Sequence, residues 1–248
     1  MREKYTCRLI TYGFAKMVFP FQPMPLGRRA APFDHPEWVF EVKHDGFRAI
    51  AYVKAGHCEL VSRRGYVYKR FLALAEQIAE SLDVQNAVLD GEIVCLDGHG
   101  KSQFKTLLYR RGTPYFYAFD ILELQGKDLR SLPLVTRKRH LKRIVPSAPS
   151  ALLYADHIEE RGEELFQLAC REDLEGIVAK WKNGLYDAER VSSWVKIKNP
   201  GYSQMLGRQE LFDRRGNGRG AAAFETQRLF TRVRTATARP TPIRIASR

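Results

Sequence analysis

The chain has 248 residues, 44% of them apolar and 28% charged, with a formal net charge of +13. That balance describes a globular protein rather than a disordered or fibrous one. No apolar run approaches the roughly eighteen residues that a membrane span needs, so no membrane partner is expected.

The placement of the charge says more than its size. After Pro200 there are ten arginines, no lysine and three acids, and through Arg29 there are six basic residues and one acid. The remainder, Ala30 to Pro200, carries only +1. Basic ends favour polyanions through counterion release. An arginine-only tail rich in Ala, Gly and Thr also fits a reading frame translated past a domain's natural end. Arg8, Thr11 and Lys16 interrupt the apolar runs at the start, so no signal peptide is read. Cys7, Cys58, Cys95 and Cys170 are far apart and form no C-x-x-C pair. This argues against a zinc site or a disulfide framework and fits a reducing cytoplasm.

In chain order, "WVFEV" and "RAIAYV" read as strands around the turn signal Asp45-Gly46, where Gly admits positive φ. Taken alone, this is a β-hairpin with Lys43 and Arg48 at opposite mouths of a tight loop. "CELVS" is a further strand. "YKRFLALAEQIAESL" has Phe71, Leu74, Ala75, Ile78 and Leu82 at helical spacing. "AVLDGEIVCL" is a strand pair hinged at Asp90-Gly91, or one strand with a bulge. "SQFKTLLYRR" predicts a short helix and "YFYAFDIL" a buried strand. "LVTRKRHLKRIV" predicts a basic amphipathic helix with Leu134, Leu141 and Ile144 on one side. A helix over "GEELFQLACRE" and strands over "GIVAKW" and "SWVKIK" follow. This order predicts an α+β domain with antiparallel sheets. After "KNPGY" periodicity fades into a segment that reads as a flexible tail.

Charged residues recur at element ends, each near a glycine: Lys43, Asp45 and Arg48; Arg63 in "SRRG"; Glu92 in "DGEI"; Asp120; Glu175 and Lys180 in "EGIVAK". Lys196 and Lys198 lie two apart, so a strand points both to one face and Val195 and Ile197 to the other. Cations for phosphate oxygens and carboxylates for Mg²⁺ suit a nucleoside triphosphate. An aromatic such as Phe119 can stack on a base.

The ordered series K-x-D-G-x-R, S-R-x-G, D-G-E, an aromatic strand ending F-D, E-G-I-V-x-K and W-x-K-x-K resembles the ATP-dependent DNA ligases. The likeness is greatest to the ligase domain of bacterial end-joining ligases and their stand-alone relatives. It extends over roughly Pro20 to Phe212. It implies a nucleotidyltransferase (ATP-grasp-like ligase) fold with antiparallel sheets flanked by helices. The implied organisation is a basic extension over 1–19, an adenylation domain over 20–212 and an Arg-rich tail over 213–248.

By the same resemblance, Lys43 would take AMP from ATP as a phosphoramidate. Arg48 would bind the ribose or the DNA end, and Arg63 the phosphate of the nicked strand. Glu92 would bind the ribose and Phe119 would stack on adenine. Lys196 and Lys198 would hold the α-phosphate. Glu175, with Glu92, would serve Mg²⁺ or Mn²⁺. The implied partner is nicked or broken duplex DNA in repair or recombination, at a cytoplasmic, nucleoid-associated location. A separate OB-fold or end-joining protein is a further implied partner.

Two features depart from the family pattern. "YDAERVSSW" stands where relatives carry Pro-Gly and Arg-Ser, with Arg190 as its candidate cation. The residues after Gly201 are too few and too aperiodic for the OB-fold barrel that usually follows, so none is expected here. The alternatives are an RNA ligase or capping-type nucleotidyltransferase, a non-catalytic DNA-binding accessory, or a truncated inactive fragment. Physical chemistry suits the leading reading. A free lysine has a pKa of about 10.4, so the neutral amine is rare at neutral pH. Neighbouring cations and a bound metal ion disfavour the ammonium form.

Overall fold

The computed structural model describes residues 20–187 and 192–205. The expected basic extension, Arg190 and the expected Arg-rich tail lie outside those residues. In chain order the elements are β1 (Gly27–Arg28), β2 (His35–Val42), β3 (Phe47–Lys54), β4 (His57–Ser62), α1 (Leu72–Ser81), β5 (Asn86–Cys95), α2 (Phe104–Leu108) and β6 (Pro114–Leu124). Then follow β7 (Lys127–Asp128), α3 (Leu134–Ile144), β8 (Leu152–Tyr154), β9 (His157–Glu160), α4 (Gly162–Arg171), β10 (Gly176–Trp181) and β11 (Trp194–Lys198).

The strands form two sheets. One runs β1-β11-β10-β2-β9; the other runs β4-β3-β5-β6-β7, with β8 also on β6. Pairing is antiparallel except between β1 and β11 and between β6 and β8. Three apolar layers follow from strand alternation, which sends successive side chains to opposite faces. Ala49, Ala51, Leu89 and Phe116 face α1, whose Leu74, Ala75 and Ile78 cover them. Ile50, Tyr52, Val88 and Leu122 face the other sheet and meet Val39, Val178 and Trp194. Phe40, Ile177, Ala179 and Ile197 face α4 through Leu165 and Ala169. Each large side chain so buried contributes about 1.5–3 kcal/mol relative to exposure. The protein is therefore layered helix, sheet, sheet, helix, an α+β domain as the sequence predicts.

Two expectations need correction, and one pair of alternatives is resolved. The strands on either side of Asp45-Gly46 are not a hairpin: β2 pairs with β10 and β9, and β3 with β4 and β5. The chain crosses from one sheet to the other between them. Of the two readings of "AVLDGEIVCL", one strand with a bulge holds: β5 is continuous, and its pairing with β6 shifts register at Val88/Leu89 and at Asp90/Gly91. The expected apolar side of α3 buries Leu134 and Leu141, but Arg137 and Lys138 are buried with them. The sequence reading assigned nothing to β8 and β9, whose three and four residues are too short to show alternation.

Candidate active site

Lys43 lies on the crossing between the sheets, just past the end of β2. Its amide donates to the Gly176 carbonyl at 2.9 Å, which fastens the crossing to the start of β10 beside Glu175. Gly176 has φ +136, and a Cβ there would meet the Ile197 carbonyl oxygen at 2.1 Å. Only glycine fits both conditions. Gly46 is required for a different reason from the one its Asp-Gly context suggests. Its φ is not positive. A Cβ at Gly46 would meet the Ile93 carbonyl oxygen at 2.1 Å, so glycine lets the loop lie directly on β5. The sequence turns at Asp45-Gly46 because the chain must leave one sheet while touching the other.

The Lys43 side chain donates to Glu175 Oε2 at 2.6 Å, and Lys198 Nζ stands 3.5 Å from Glu175 Oε1. One carboxylate thus links the crossing loop to β11. Lys43 remains 17% exposed and Lys198 35%, whereas Glu175 is 3% exposed. The pair opens to solvent on its cationic side. Lys196 projects from the same face of β11 as Lys198, as the two-residue period predicts. Its pKa is lowered by burial and then by its cationic neighbours Lys198 and Lys43.

The cleft between the sheets is lined by Glu41, Lys43, Arg48, Glu92, Phe119, Lys180 and Trp194, with Val178 among them. Arg48 makes a two-pronged pair with Asp90, Nε to Oδ1 at 3.1 Å and Nη2 to Oδ2 at 2.7 Å. Tyr186 donates its hydroxyl to the same Asp90 Oδ2 at 2.7 Å and accepts from the Met24 amide at 2.8 Å. Arg48 is thereby fixed over the rings of Phe119 and Trp194. Glu92 is pushed up to about 7, chiefly by burial; Lys43 and Arg48 oppose that rise, while Glu175 and Asp45 add to it.

Deeper in the cleft, Glu41 receives Lys138 on Oε1 at 2.7 Å and Lys180 on Oε2 at 2.6 Å. Burial alone would raise the Glu41 carboxyl, but the two lysines outweigh it and hold it below the usual range. Burial lowers Lys180 to about 8, helped by Lys138 and opposed by Glu41. Its ammonium lies 4.3 Å from the Phe119 ring centre and 4.1 Å from that of Trp194, a cation–π arrangement. His44 stacks on Tyr117 with ring centres 4.0 Å apart. Burial takes its pKa down to about 4, with Lys43 adding to the fall, so it is neutral at pH 7. A second cavity shares Val42, Lys43 and His44 with this cleft and is lined further by Asp45, Lys101, Glu175 and Tyr202.

The structure therefore places Lys43, Arg48, Glu92 and Phe119 on one cleft, with Glu175 in contact with Lys43 from the adjoining cavity, and Lys198 and Lys196 beside that pair. It leaves Arg63 apart, exposed in the turn after β4. Asp120 was a candidate cleft carboxylate, but it is wholly buried and taken up by Arg137 at 2.8–2.9 Å. Asp45, nearly buried, accepts from the Tyr202 hydroxyl at 3.2 Å. Glu41, Asp90, Lys138, Tyr186 and Trp194 were not assigned roles from sequence. One signal was available for Lys138: in "LVTRKRHL" the turn between Leu134 and Leu141 places cations on the helix face where core residues belong.

The model of the ATP dependent DNA ligase domain matches residues 28–198. The multifunctional non-homologous end joining protein LigD of Pseudomonas aeruginosa is 31% identical over 168 residues, 65% of this chain and 20% of that protein. Its namesake from Mycolicibacterium smegmatis is 34% identical over 175 residues, 68% of this chain and 22% of that protein. The solved structure of a mycobacterial DNA ligase D complexed with ATP and MES superposes with a TM-score of 0.61 at 29% identity, covering 71% of this chain and 60% of that one. The chain thus spans about a fifth of the length of these two curated relatives. With a family model spanning Arg28 to Lys198 and a fold shared with a solved DNA ligase D, the chain belongs to the ATP-dependent DNA ligase domain family.

Proposed function

We propose that this chain transfers AMP from ATP to Lys43 and then to the 5′-phosphate of nicked or broken duplex DNA, so that the strand can be sealed in repair or recombination. The observation that carries the reading is the Lys43 amine held 2.6 Å from Glu175, with Lys198 on the other oxygen of that carboxylate, at the open mouth of the cleft. The Lys43 nitrogen forms its bond to the α-phosphorus as the bond to pyrophosphate breaks. Its ammonium must first lose a proton, and Glu175 Oε2 is the acceptor already in contact. Lys196 and Lys198 offset the charge that builds on the α-phosphate and the leaving group. Phe119 and Val178 provide the apolar walls for the base, Glu92 meets the ribose, and Arg48 meets the ribose or the DNA end.

The acids also fit a divalent cation. Glu175 adds to the rise of the Glu92 carboxyl, a crowding of acids that a hard cation relieves. Those two would hold Mg²⁺ or Mn²⁺ with the triphosphate, and the ion, when bound, screens charge on the phosphates. Arg63 stands ready for the phosphate of the nicked strand. A separate OB-fold or end-joining partner would complete the grip on DNA and align the pyrophosphate.

Nick sealing under single-turnover conditions tests this reading. We expect sealing of a pre-adenylylated nick to exceed ATP-driven sealing, because misplacing a leaving group by about 1 Å can cost roughly a hundredfold. No sealing of either nick, with or without an OB-fold partner, would contradict it.

A further inference from the structure

The near-balance of charge between Ala30 and Pro200 hides a polarised region. Residues 62–71 contain Arg63, Arg64, Lys69 and Arg70 and no acid. Residues 104–112 contain Lys105, Arg110 and Arg111 and no acid. Seven of the domain's cations thus lie in two short segments, and the fold brings the two together. The first follows β4, whose last residue Ser62 pairs with Ala49 near the start of β3. The second is α2 and the turn after it, which follow β5, whose Ile93 pairs with Phe47 at that same end of β3. Phe47 is the link. Arg70 lies 4.3 Å from its ring centre, and Phe104, the first residue of α2, stacks obliquely on it at 5.5 Å. Tyr68 reaches the Arg48 carbonyl at 3.5 Å.

This end of the sheet is the one that the Lys43 crossing enters. Arg63, Arg64 and Lys69 are exposed, as are Lys105, Arg110 and Arg111. Tyr66 is 71% exposed and Tyr109 48%, and Arg111 lies 5.3 Å from the Tyr109 ring centre. Interleaved cations and aromatics on a surface suit a phosphate backbone and its sugars better than they suit a small anion.

We propose that α2 and its following turn, Lys105 with Tyr109, Arg110 and Arg111, form a second duplex-DNA grip. It continues the basic segment after β4 and seats the duplex flanking the break, so that its 5′-phosphate faces Lys43. This rests on the DNA-ligase reading above and adds a surface that the nucleotide site does not contain. It also moves the DNA-holding charge from the basic ends of the chain onto the folded domain.

The test uses the full chain carrying Lys105→Ala, Arg110→Asn and Arg111→Ala together. Asn replaces Arg110 because φ there is +57, a conformation Asn tolerates. Binding to a nicked duplex is measured across a salt series, and AMP loading of Lys43 is measured alongside. Each phosphate contact contributes about 0.9 to the slope of log K against log salt. The triple variant is therefore expected to lose about two to three units of slope and at least about tenfold in affinity at low salt, with AMP loading unchanged. An unchanged slope with normal loading would overturn the α2 grip while leaving the ligase reading intact. Failure of the unaltered chain to load AMP would overturn that reading instead. A greater loss of binding to an RNA duplex of equal length than to the DNA duplex would overturn the assignment of the surface to DNA.

Discussion

Two ionic groups built from the same residue types behave differently in this domain. Lys43, Glu175 and Lys198 stand at the cleft mouth with their cations partly exposed, whereas Arg137–Asp120 and the Lys138–Glu41–Lys180 triad are sealed, each side chain 4% exposed or less. In the sealed groups the charges lock elements together. Arg137 ties α3 to β6 and also donates to the carbonyls of Leu132 and Gly184. Lys138 ties the same helix to β2 and to the Ala155 carbonyl. In the open group the cations face solvent, where the function proposed above brings a phosphate to them. Burial, not residue type, separates the sealed groups from the open one, because an unpaired charge inside is far costlier than one at the surface.

The largest effect should come from breaking the open group. Glu175→Ala removes the partner of both lysines and one of the two acids proposed for the cation, and AMP loading should fall by at least about a hundredfold. Rapid-quench measurement of loading checks this; a drop of less than about fivefold would mean that the carboxylate is only structural.

Breaking the sealed group should act on stability instead. Arg137→Met leaves Asp120 buried and uncompensated, at a cost of about 3–5 kcal/mol. Urea unfolding reads it directly, and a cost under about 1 kcal/mol would show that water reaches Asp120. The contrast sharpens if both chains are assayed for both properties.

Those two residues also mark where sequence reading ends. The grouping of the candidate site residues was legible because they sit in short local motifs: "KHDGFR" fixes Lys43 and Arg48, and "WVKIK" puts two lysines on one face through strand alternation alone. The α+β class was legible from periodicity. The partners of Arg137 and Lys138 were not, because Asp120 and Glu41 lie on strands 17 and 97 residues away and a basic helix ordinarily faces water. The separation of β2 from β3 was hidden for the same reason. A tight Asp-Gly turn is the local mark of a hairpin, and only the pairing of β2 with β10 overrides it. Tyr186 falls in the stretch where the family pattern breaks, so nothing local pointed to Asp90.

A smaller effect should follow pH. Burial holds Glu92 protonated up to about 7, above its ordinary 4.5. The folded state therefore binds more protons than the unfolded one between those values, and stability falls as pH rises through that window. Glu92→Gln should remove that contribution. Unfolding midpoints from pH 5 to 8 that fall equally steeply in both proteins would assign the effect to another group.

The smallest expected change belongs to Tyr186→Phe. It removes the hydrogen bond to Asp90 and the one accepted from the Met24 amide and leaves the ring in place, so stability should drop by about 1–2 kcal/mol. Arg48 keeps its two-pronged pair but loses the brace behind it, so KM for ATP should shift more than the rate of loading. Unaltered KM and stability would show that Arg48 is positioned by Asp90 alone.

The central claim is that Lys43 carries AMP. Incubation with ATP and Mg²⁺ followed by intact-mass and peptide mapping tests it most directly. The expected result is one added AMP on the peptide containing Lys43, absent from Lys43→Arg, which keeps the charge but offers no usable nucleophile. AMP on any other residue, or undiminished labelling of Lys43→Arg, would contradict the account.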